Sequence, residues 1–289
     1  MNPMSFAFLA DLLKRRSGII LSPEKLYLVE TRLLPIARSE GKTTLDEFIP
    51  LLQRPGGEPL IGKVIEAMTT NETFFFRDKA PFDRLVDTIV PAFKQSRPDK
   101  TLRIWCAAAS TGQEPYSIAM ALLEAGLPAT GWRIQITGTD ISNDVLEKAR
   151  AGTYSQFEVQ RGLPIQLLLK YFKQEGEFWH LSPEIKRMVQ YRSFNLLDSY
   201  STLGRFDIIF CRNVLIYFDR ETKADMLSRM AQIMTPDGFL ILGAAETVVG
   251  ITTDFEPMRD KRGIYMKTGA DQTVQVPRAM TGTPLRVVA

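Results

Sequence analysis

The 289-residue sequence is poor in the side chains that most often carry enzyme chemistry, with a single histidine, His180, and two cysteines, Cys106 and Cys211. So few imidazoles and thiols, scattered along the chain, exclude a zinc site of the usual kind. Both cysteines sit inside apolar runs, LRIWCAAAS and FDIIFCRN, and read as small buried side chains. His180 precedes LSPEIK, which reads as a surface hairpin, so chemistry resting on histidine is not expected. No run approaches the ~18 apolar residues of a membrane span. The first residues, MNPMSFAFLADLLKRR, place their charges after the apolar stretch, the reverse of a secretory signal, and the protein is expected to be cytoplasmic, where a disulfide is not expected. A net charge of +3 is too small an excess to argue for nucleic acid. What remains, 45% hydrophobic and 24% charged residues, is an ordinary globular composition, long enough for one large domain and a small one.

The opening stretch reads as all-helical. Phe6, Leu9, Leu12 and Leu13 recur at helical spacing until Gly18 stops the run. Ser22, Pro23 and Glu24 mark a second start, with Ser22 as N-cap and Pro23 at the first helical position. That run continues to Gly41, and Pro35 inside it should kink or break it. Residues 44–52 and 59–68 read as two further short helices. From Thr101 short apolar runs alternate with helical patterns, as in an α/β domain with a mainly parallel sheet. Strands are expected at 102–107, 133–139, 189–194, 206–211, 239–243 and 263–267, and helices starting near Glu114, Ser142 and Arg220. Residues 155–187 interrupt this rhythm with a helix at 164–171 and a hairpin-like stretch around Gly176, which reads as a small inserted subdomain. The tail from about Thr268 lacks a packable period and is expected to be disordered.

The run LRIWCAAA passes into STGQEPYSIAMALLEAG, a strand, a turn of small residues and a helix. Doubly wound sheets bind nucleotide-like ligands at such a turn, at the carboxyl ends of their strands. Ala107, Ala108, Ala109, Ser110 and Gly112 are small enough to let a ligand approach the backbone, although the turn does not match GxGxxG. The next strand, RIQITGT, ends in Asp140, where a carboxylate can accept both hydroxyls of a ribose. Asp140 could instead cap the helix that follows, but Ser142 is the better cap. Glu114 falls in the first turn of its helix, where the dipole favours an acid and where it could hold an ammonium group. A cofactor with both a ribose and an amino-acid ammonium is S-adenosylmethionine.

Five segments in order then carry a family resemblance: TTNETFFFRD (69–78), AAASTGQEPYS (107–117), GTDIS (138–142), FNLLD (194–198) and FCRNVLIYFD (210–219). Together they resemble the chemotaxis-receptor methyltransferase (CheR) family over roughly residues 5–267. The resemblance implies an α/β fold: a Rossmann-like class I methyltransferase domain with a small inserted β-subdomain, preceded by an all-helical N-terminal domain. The expected divisions are a helical domain at 1–69, a linker at 70–94 carrying part of the active site, the methyltransferase domain at 95–268 with its insertion at about 155–192, and a tail at 269–289. The resemblance places Asn71, Thr73 and Arg77 over the methionine end of the cofactor, Glu114 on its ammonium and Asp140 on its ribose. Asn195 and Leu196 resemble the pair that brackets the adenine; Arg212 and Asn213 lie beneath the reactive centre, and Tyr217 matches the active-site tyrosine. Ala107 belongs to the cofactor turn. The implied cofactor is S-adenosylmethionine, leaving S-adenosylhomocysteine, with no metal. The implied substrates are glutamate side chains on the cytoplasmic methylation helices of chemoreceptors, with neither nucleic acid nor membrane insertion involved.

A glutamate has an ordinary pKa of ~4.3 and arrives as a carboxylate, so this transfer needs no general base, which suits a chain with one histidine. Arg77 is the candidate for orienting a carboxylate, and Tyr217 for bordering the methyl group. The triple phenylalanine at 74–76 reads as packing the two domains together. Lys14, Arg15, Arg16, Lys25, Arg32 and Arg38 would offer an acidic helical partner a basic face, though Glu24, Glu30 and Glu40 are interleaved with them. The alternatives are a methyltransferase for another substrate, or a cofactor-binding signalling module. Family members that anchor to a peptide at the receptor's C-terminus resemble one another in a glycine-rich loop. The stretch matching it here, 171–187, is shorter and has only Gly176, so no such tether is expected.

Overall fold

The structure, a computed structural model, describes residues 1–269; the tail beyond Gly269, expected to be disordered, lies outside the described residues. Four helices build the N-terminal unit. In α1 (Pro3–Ser17) the Asn2 side chain accepts from the Ser5 N–H, and Gly18 ends the helix at φ 77°, a left-handed conformation that costs glycine little. A single 3-10 turn, Pro23–Lys25, precedes α2 (Leu26–Ser39); Ser22 has the extended backbone of a cap but makes no side-chain cap bond. Of the two outcomes expected at Pro35, a kink or a break, the break does not occur: α2 runs on through it. One stripe of that helix, Val29, Leu33 and Ala37, is fully buried, and this packing outweighs the ~3 kcal/mol an interior proline costs. With α3 (Leu45–Leu52) and α4 (Glu58–Met68) these helices enclose a core of their own around Leu9, Leu13, Phe48 and Val64.

A junction segment leads through α5 (Ala80–Arg84), a π-helical turn and α6 (Val90–Ser96) into the sheet. In chain order the strands are β1 (Thr101–Cys106), β2 (Arg133–Asp140), β3 (Thr153–Ser155), β4 (Phe172–Glu175), β5 (Phe178–Leu181), β6 (Val189–Ser193), β7 (Phe206–Cys211), β8 (Met234–Leu242), β9 (Phe255–Pro257) and β10 (Ile264–Lys267). Seven of them form one sheet in the order β6-β2-β1-β7-β8-β10-β9, parallel from β6 to β8 and antiparallel at β10 and β9. Both faces are covered, as a parallel sheet requires. Leu102, Ile104 and Cys106 of β1 pack into one buried cluster and Trp105 and Ala107 into the other, following the two-residue alternation of a strand. Both cysteines are fully buried and unpaired.

The strand order reverses at β1, with β2 on one side and β7 on the other, so the carboxyl ends of these strands open onto one crevice. Around the sheet run α7 (Gln113–Glu124), α8 (Asn143–Ala151) and α12 (Arg220–Ile233), starting within a residue of the expected places. The insertion holds α9 (Gln156–Gln160), α10 (Ile165–Tyr171) and the three-stranded sheet β3-β5-β4. His180 lies in β5 against Thr153, and the residues after it form α11 (Pro183–Arg187) rather than the surface hairpin expected, because Pro183 suits a first helical turn. The expected strand at 239–243 starts earlier, at Met234, and a shift in its pairing with β7 accommodates residues 235–238, among them Pro236. No helix among the described residues is long and apolar enough to cross a membrane.

The triple phenylalanine does not join the two domains. Phe75 is fully buried against Tyr154 and Phe172 of the insertion, with ring centres 5.1 and 5.6 Å away, and Phe76 packs on Phe82. Consecutive side chains on an irregular segment point in different directions, and these find the core beneath the sheet, not the helical bundle.

Candidate active site

The crevice is a cleft enclosing about 940 Å³ of space open to solvent. It brings together all eleven residues singled out from the sequence: Asn71, Thr73, Arg77, Ala107, Glu114, Asp140, Asn195, Leu196, Arg212, Asn213 and Tyr217. Its floor is the turn after β1. Ser110 takes a left-handed conformation, φ 48°, which aims its amide N–H at Asp140 Oδ2, 2.9 Å away. Asp140 Oδ1 accepts from the Ser142 N–H at 3.1 Å, while Ser142 itself caps α8. Each carboxylate oxygen thus holds one backbone donor and keeps a second acceptor direction free in principle for a hydroxyl. Burial pushes the Asp140 carboxyl above its ordinary range, and the backbone N–H groups of Ser142, Ser110 and Ile141 pull part of the way back.

Glu114, in the first turn of α7, is buried and accepts from Arg212 Nη1 at 2.8 Å. Burial raises its pKa, and the Arg212 guanidinium opposes that rise. Arg212, placed just after β7, also donates from Nη2 to Asp78 Oδ2 at 2.7 Å and to the Arg77 carbonyl at 2.9 Å. Its Nε is buried and finds no partner among the described residues. One guanidinium therefore clasps the junction segment to the first turn of α7. Arg77 itself, expected to orient a carboxylate, donates from Nη1 to the Glu72 carbonyl at 2.9 Å.

Three parts of the site were not foreseen. Glu246, after β8, accepts four backbone N–H groups: Gly243 (2.7 Å) and Asn213 (2.8 Å) on Oε2, Val214 (2.9 Å) and Leu215 (2.7 Å) on Oε1. It shapes the loop that carries Asn213, itself at φ 58°, and Tyr217. Arg32 donates to the carbonyls of Met68 (3.0 Å) and Thr69 (2.7 Å), capping α4 and steadying the residues that enter the cleft. Glu66 of α4 accepts from the Asn143 N–H at 2.7 Å, at the start of α8. An acid or an arginine acting on backbone far away in sequence leaves no local pattern, so only the fold displays these roles.

The helical unit roofs the cleft. Ser17 and Ile19 line it, the Ile20 N–H donates to the Tyr217 carbonyl at 2.9 Å, and Lys14 pairs with Asp219 at 2.8 Å. Asn195 donates from Nδ2 to the Arg16 carbonyl at 2.7 Å and accepts the Leu197 N–H on Oδ1, while Leu196 is buried beside it. Of the basic residues read as a docking face, Lys14, Arg15, Arg16 and Arg32 all have partners within the chain.

Comparison with known proteins decides the family. Residues 71–264 match the CheR methyltransferase SAM-binding domain and residues 4–69 the CheR methyltransferase all-alpha domain. The chain belongs to the CheR methyltransferase family. Relatives include chemotaxis protein methyltransferase Cher2 of Pseudomonas putida, 41% identical over 256 residues, covering 87% of this chain and 93% of that protein. Chemotaxis protein methyltransferase 1 of Pseudomonas aeruginosa is 40% identical over 259 residues, 88% of this chain and 94% of its own. The chemotaxis protein methyltransferase of Escherichia coli is 37% identical over 245 residues, 83% of each chain. The CheR SAM-binding domain thus spans the sheet, the insertion and the junction, and the CheR all-alpha domain is the roof.

Proposed function

We propose that this protein transfers the methyl group of S-adenosylmethionine to glutamate side chains of cytoplasmic methylation helices on chemoreceptors, giving methyl esters. The observation that carries the reading is the pair of buried acids, Glu114 and Asp140, on the floor of a cleft belonging to a family whose relatives are chemotaxis protein methyltransferases. The site suits the cofactor without a metal: an acid at a helix start for the ammonium, an acid at a strand tip for the ribose, and a turn of alanines between them.

Bound S-adenosylmethionine would supply an electrophilic methyl group on a sulfonium. Glu114 would hold the ammonium, Asp140 the ribose hydroxyls, and Leu196 an apolar face of the adenine, with Asn195 at its rim. Asn71, Thr73 and Arg77 would close over the methionine end, with Ala107, Arg212 and Asn213 beneath. The incoming glutamate is already ionised, so the protein's task is to line it up and keep water away, an effect for which ~7–11 kcal/mol is available from orientation. Arg77 fixes the direction of approach, and Tyr217 borders the methyl group.

Asp140→Ala is expected to weaken S-adenosylhomocysteine binding by about 1.5–3 kcal/mol, because hydrogen bonds to a charged acceptor are lost. Calorimetry returning the wild-type affinity would contradict that role. The pH dependence has a definite sign. Both acids titrate above their ordinary range in the folded chain, so between the ordinary and raised values the folded protein holds more protons than the unfolded one. Stability therefore falls as pH rises through that window. Cofactor affinity runs the other way, strengthening as Glu114 and Asp140 ionise, and calorimetry across the acid range reads this directly.

Arg77→Ala is expected to reduce turnover far more than cofactor affinity, since orientation counts mainly in the transition state. Equal losses in the two measurements would remove its orienting role. Receptor recognition is expected to be independent of a C-terminal peptide tether. Consistent with this, β4 and β5 are joined by a tight turn at Gly176 and Glu177, with Glu175 paired to Phe178. Methylation should be equally fast on receptors with and without that tail; dependence on the tail would show that the β-subdomain does capture it. The function itself is tested by transfer of labelled methyl groups to the host's purified receptors, one at a time, beside RNA and DNA. Label on a receptor that is released in mild base supports an ester; label on nucleic acid rejects it.

A further inference from the structure

A second guanidinium lies one side chain away from the cleft, on its Glu72. Arg161, at the end of α9, stacks on Phe74 with its Cζ 4.4 Å from the ring centre, and Arg77 approaches the same ring at 5.5 Å. One residue also ties the two arginines together: Glu72, which lines the cleft, gives its carbonyl to Arg77 and its carboxylate to Arg161. The hydrogen bond from Arg161, aided by the charge of Arg77, holds the Glu72 carboxyl below its usual range.

The backbone fixes this arrangement. Gly162 has φ 83°, and a Cβ there would lie 2.1 Å from the Phe75 carbonyl oxygen, so the loop carrying Arg161 is pressed onto the junction segment. The Arg161–Glu72 pair is itself exposed, at 40% and 56%, and such pairs are weak enough to exchange partners. Stacking on Phe74 holds the planar guanidinium in place while its edge offers the fork that matches a carboxylate. The insertion thus presents a pre-set carboxylate receptor, filled by an internal acid, one side chain away from the cleft.

We propose that Arg161 is a specificity-determining residue for the protein substrate, taking up an acidic side chain about one helical turn from the glutamate being methylated in exchange for Glu72. The inference rests on the substrate reading given above. On a helix, side chains three or four residues apart are neighbours at ~5–6 Å between Cβ atoms, so one acid can enter beside Arg77 while the other stays on Arg161. Glu72 then serves as an internal competitor that any substrate lacking the second acid must leave in place.

The test is steady-state methylation of a purified receptor cytoplasmic fragment by wild type, Arg161→Gln and Glu72→Gln. Arg161→Gln should raise KM for the receptor by about tenfold, leaving S-adenosylhomocysteine affinity unchanged, because the contact is to the substrate alone. Glu72→Gln, which removes the competitor, should lower KM. A receptor whose acids one turn from the acceptor are changed to glutamine should show a raised KM with wild type and no further rise with Arg161→Gln. Wild-type KM in Arg161→Gln, or independent addition of the two effects, overturns the inference while leaving the substrate reading standing. Absence of any base-labile ester with wild type would overturn both.

Discussion

Arg212→Ala is expected to lower the free energy of unfolding by about 3–5 kcal/mol, the cost of removing one partner of a buried ion pair. The variant leaves Glu114 buried without its guanidinium and cuts the link from that acid to Asp78 and the Arg77 carbonyl. Urea denaturation measures the loss, and one no larger than the ~1 kcal/mol of an exposed pair would show that Arg212 does not hold the site together. The loss has a pH signature. Arg212 is what opposes the rise in the Glu114 pKa caused by burial, so without it that pKa climbs further. The destabilisation is full above the raised pKa, where Glu114 must be charged, and shrinks as pH falls through it and the carboxyl takes up a proton. A purely steric effect of the truncation would be the same at every pH.

Glu246→Ala is expected to cost about 3–5 kcal/mol as well, because four backbone N–H groups lose a charged acceptor and water replaces it incompletely. Since the same N–H groups set the loop from Asn213 to Tyr217, methyl transfer should fall more steeply than stability. Glu246→Gln should fall between the two, because one carboxylate oxygen becomes an NH₂ facing backbone donors. Denaturation and turnover are measured on the same preparations; an alanine variant as stable and active as wild type would mean that the loop is set by something else.

The two acids that carry the functional reading were legible in the chain because their positions follow from local rules. Asp140 closes a strand, and Glu114 sits two residues past the glycine that precedes its helix. The parallel sheet was legible for the same reason, through short apolar runs with turn residues between them. Glu246 was not, because AAETVVG has no feature that marks an acid reaching back 33 residues to a loop. At Pro35 a local rule met tertiary packing: the buried stripe of α2 keeps the helix whole. The cations of the first two helices could not be given partners from sequence for a related reason. Their charge is visible in sequence, but Arg32 is consumed by the carbonyl end of α4 and Lys14 by Asp219, which only the packed structure reveals. Phe75 likewise reads as apolar in sequence, and its choice of the insertion over the helical bundle depends on the path of the junction segment.

The most direct measurement of the central claim is the identity of the methylated atom. A purified receptor fragment from the host is incubated with this protein and S-adenosylmethionine, digested, and mapped by tandem mass spectrometry before and after mild base. The expected result is a gain of one methylene on specific glutamate side chains, lost on base treatment and formed more slowly with Arg77→Ala. Methylation on lysine or arginine nitrogen that survives base, or a receptor left unmodified by a protein that binds the cofactor, would contradict it.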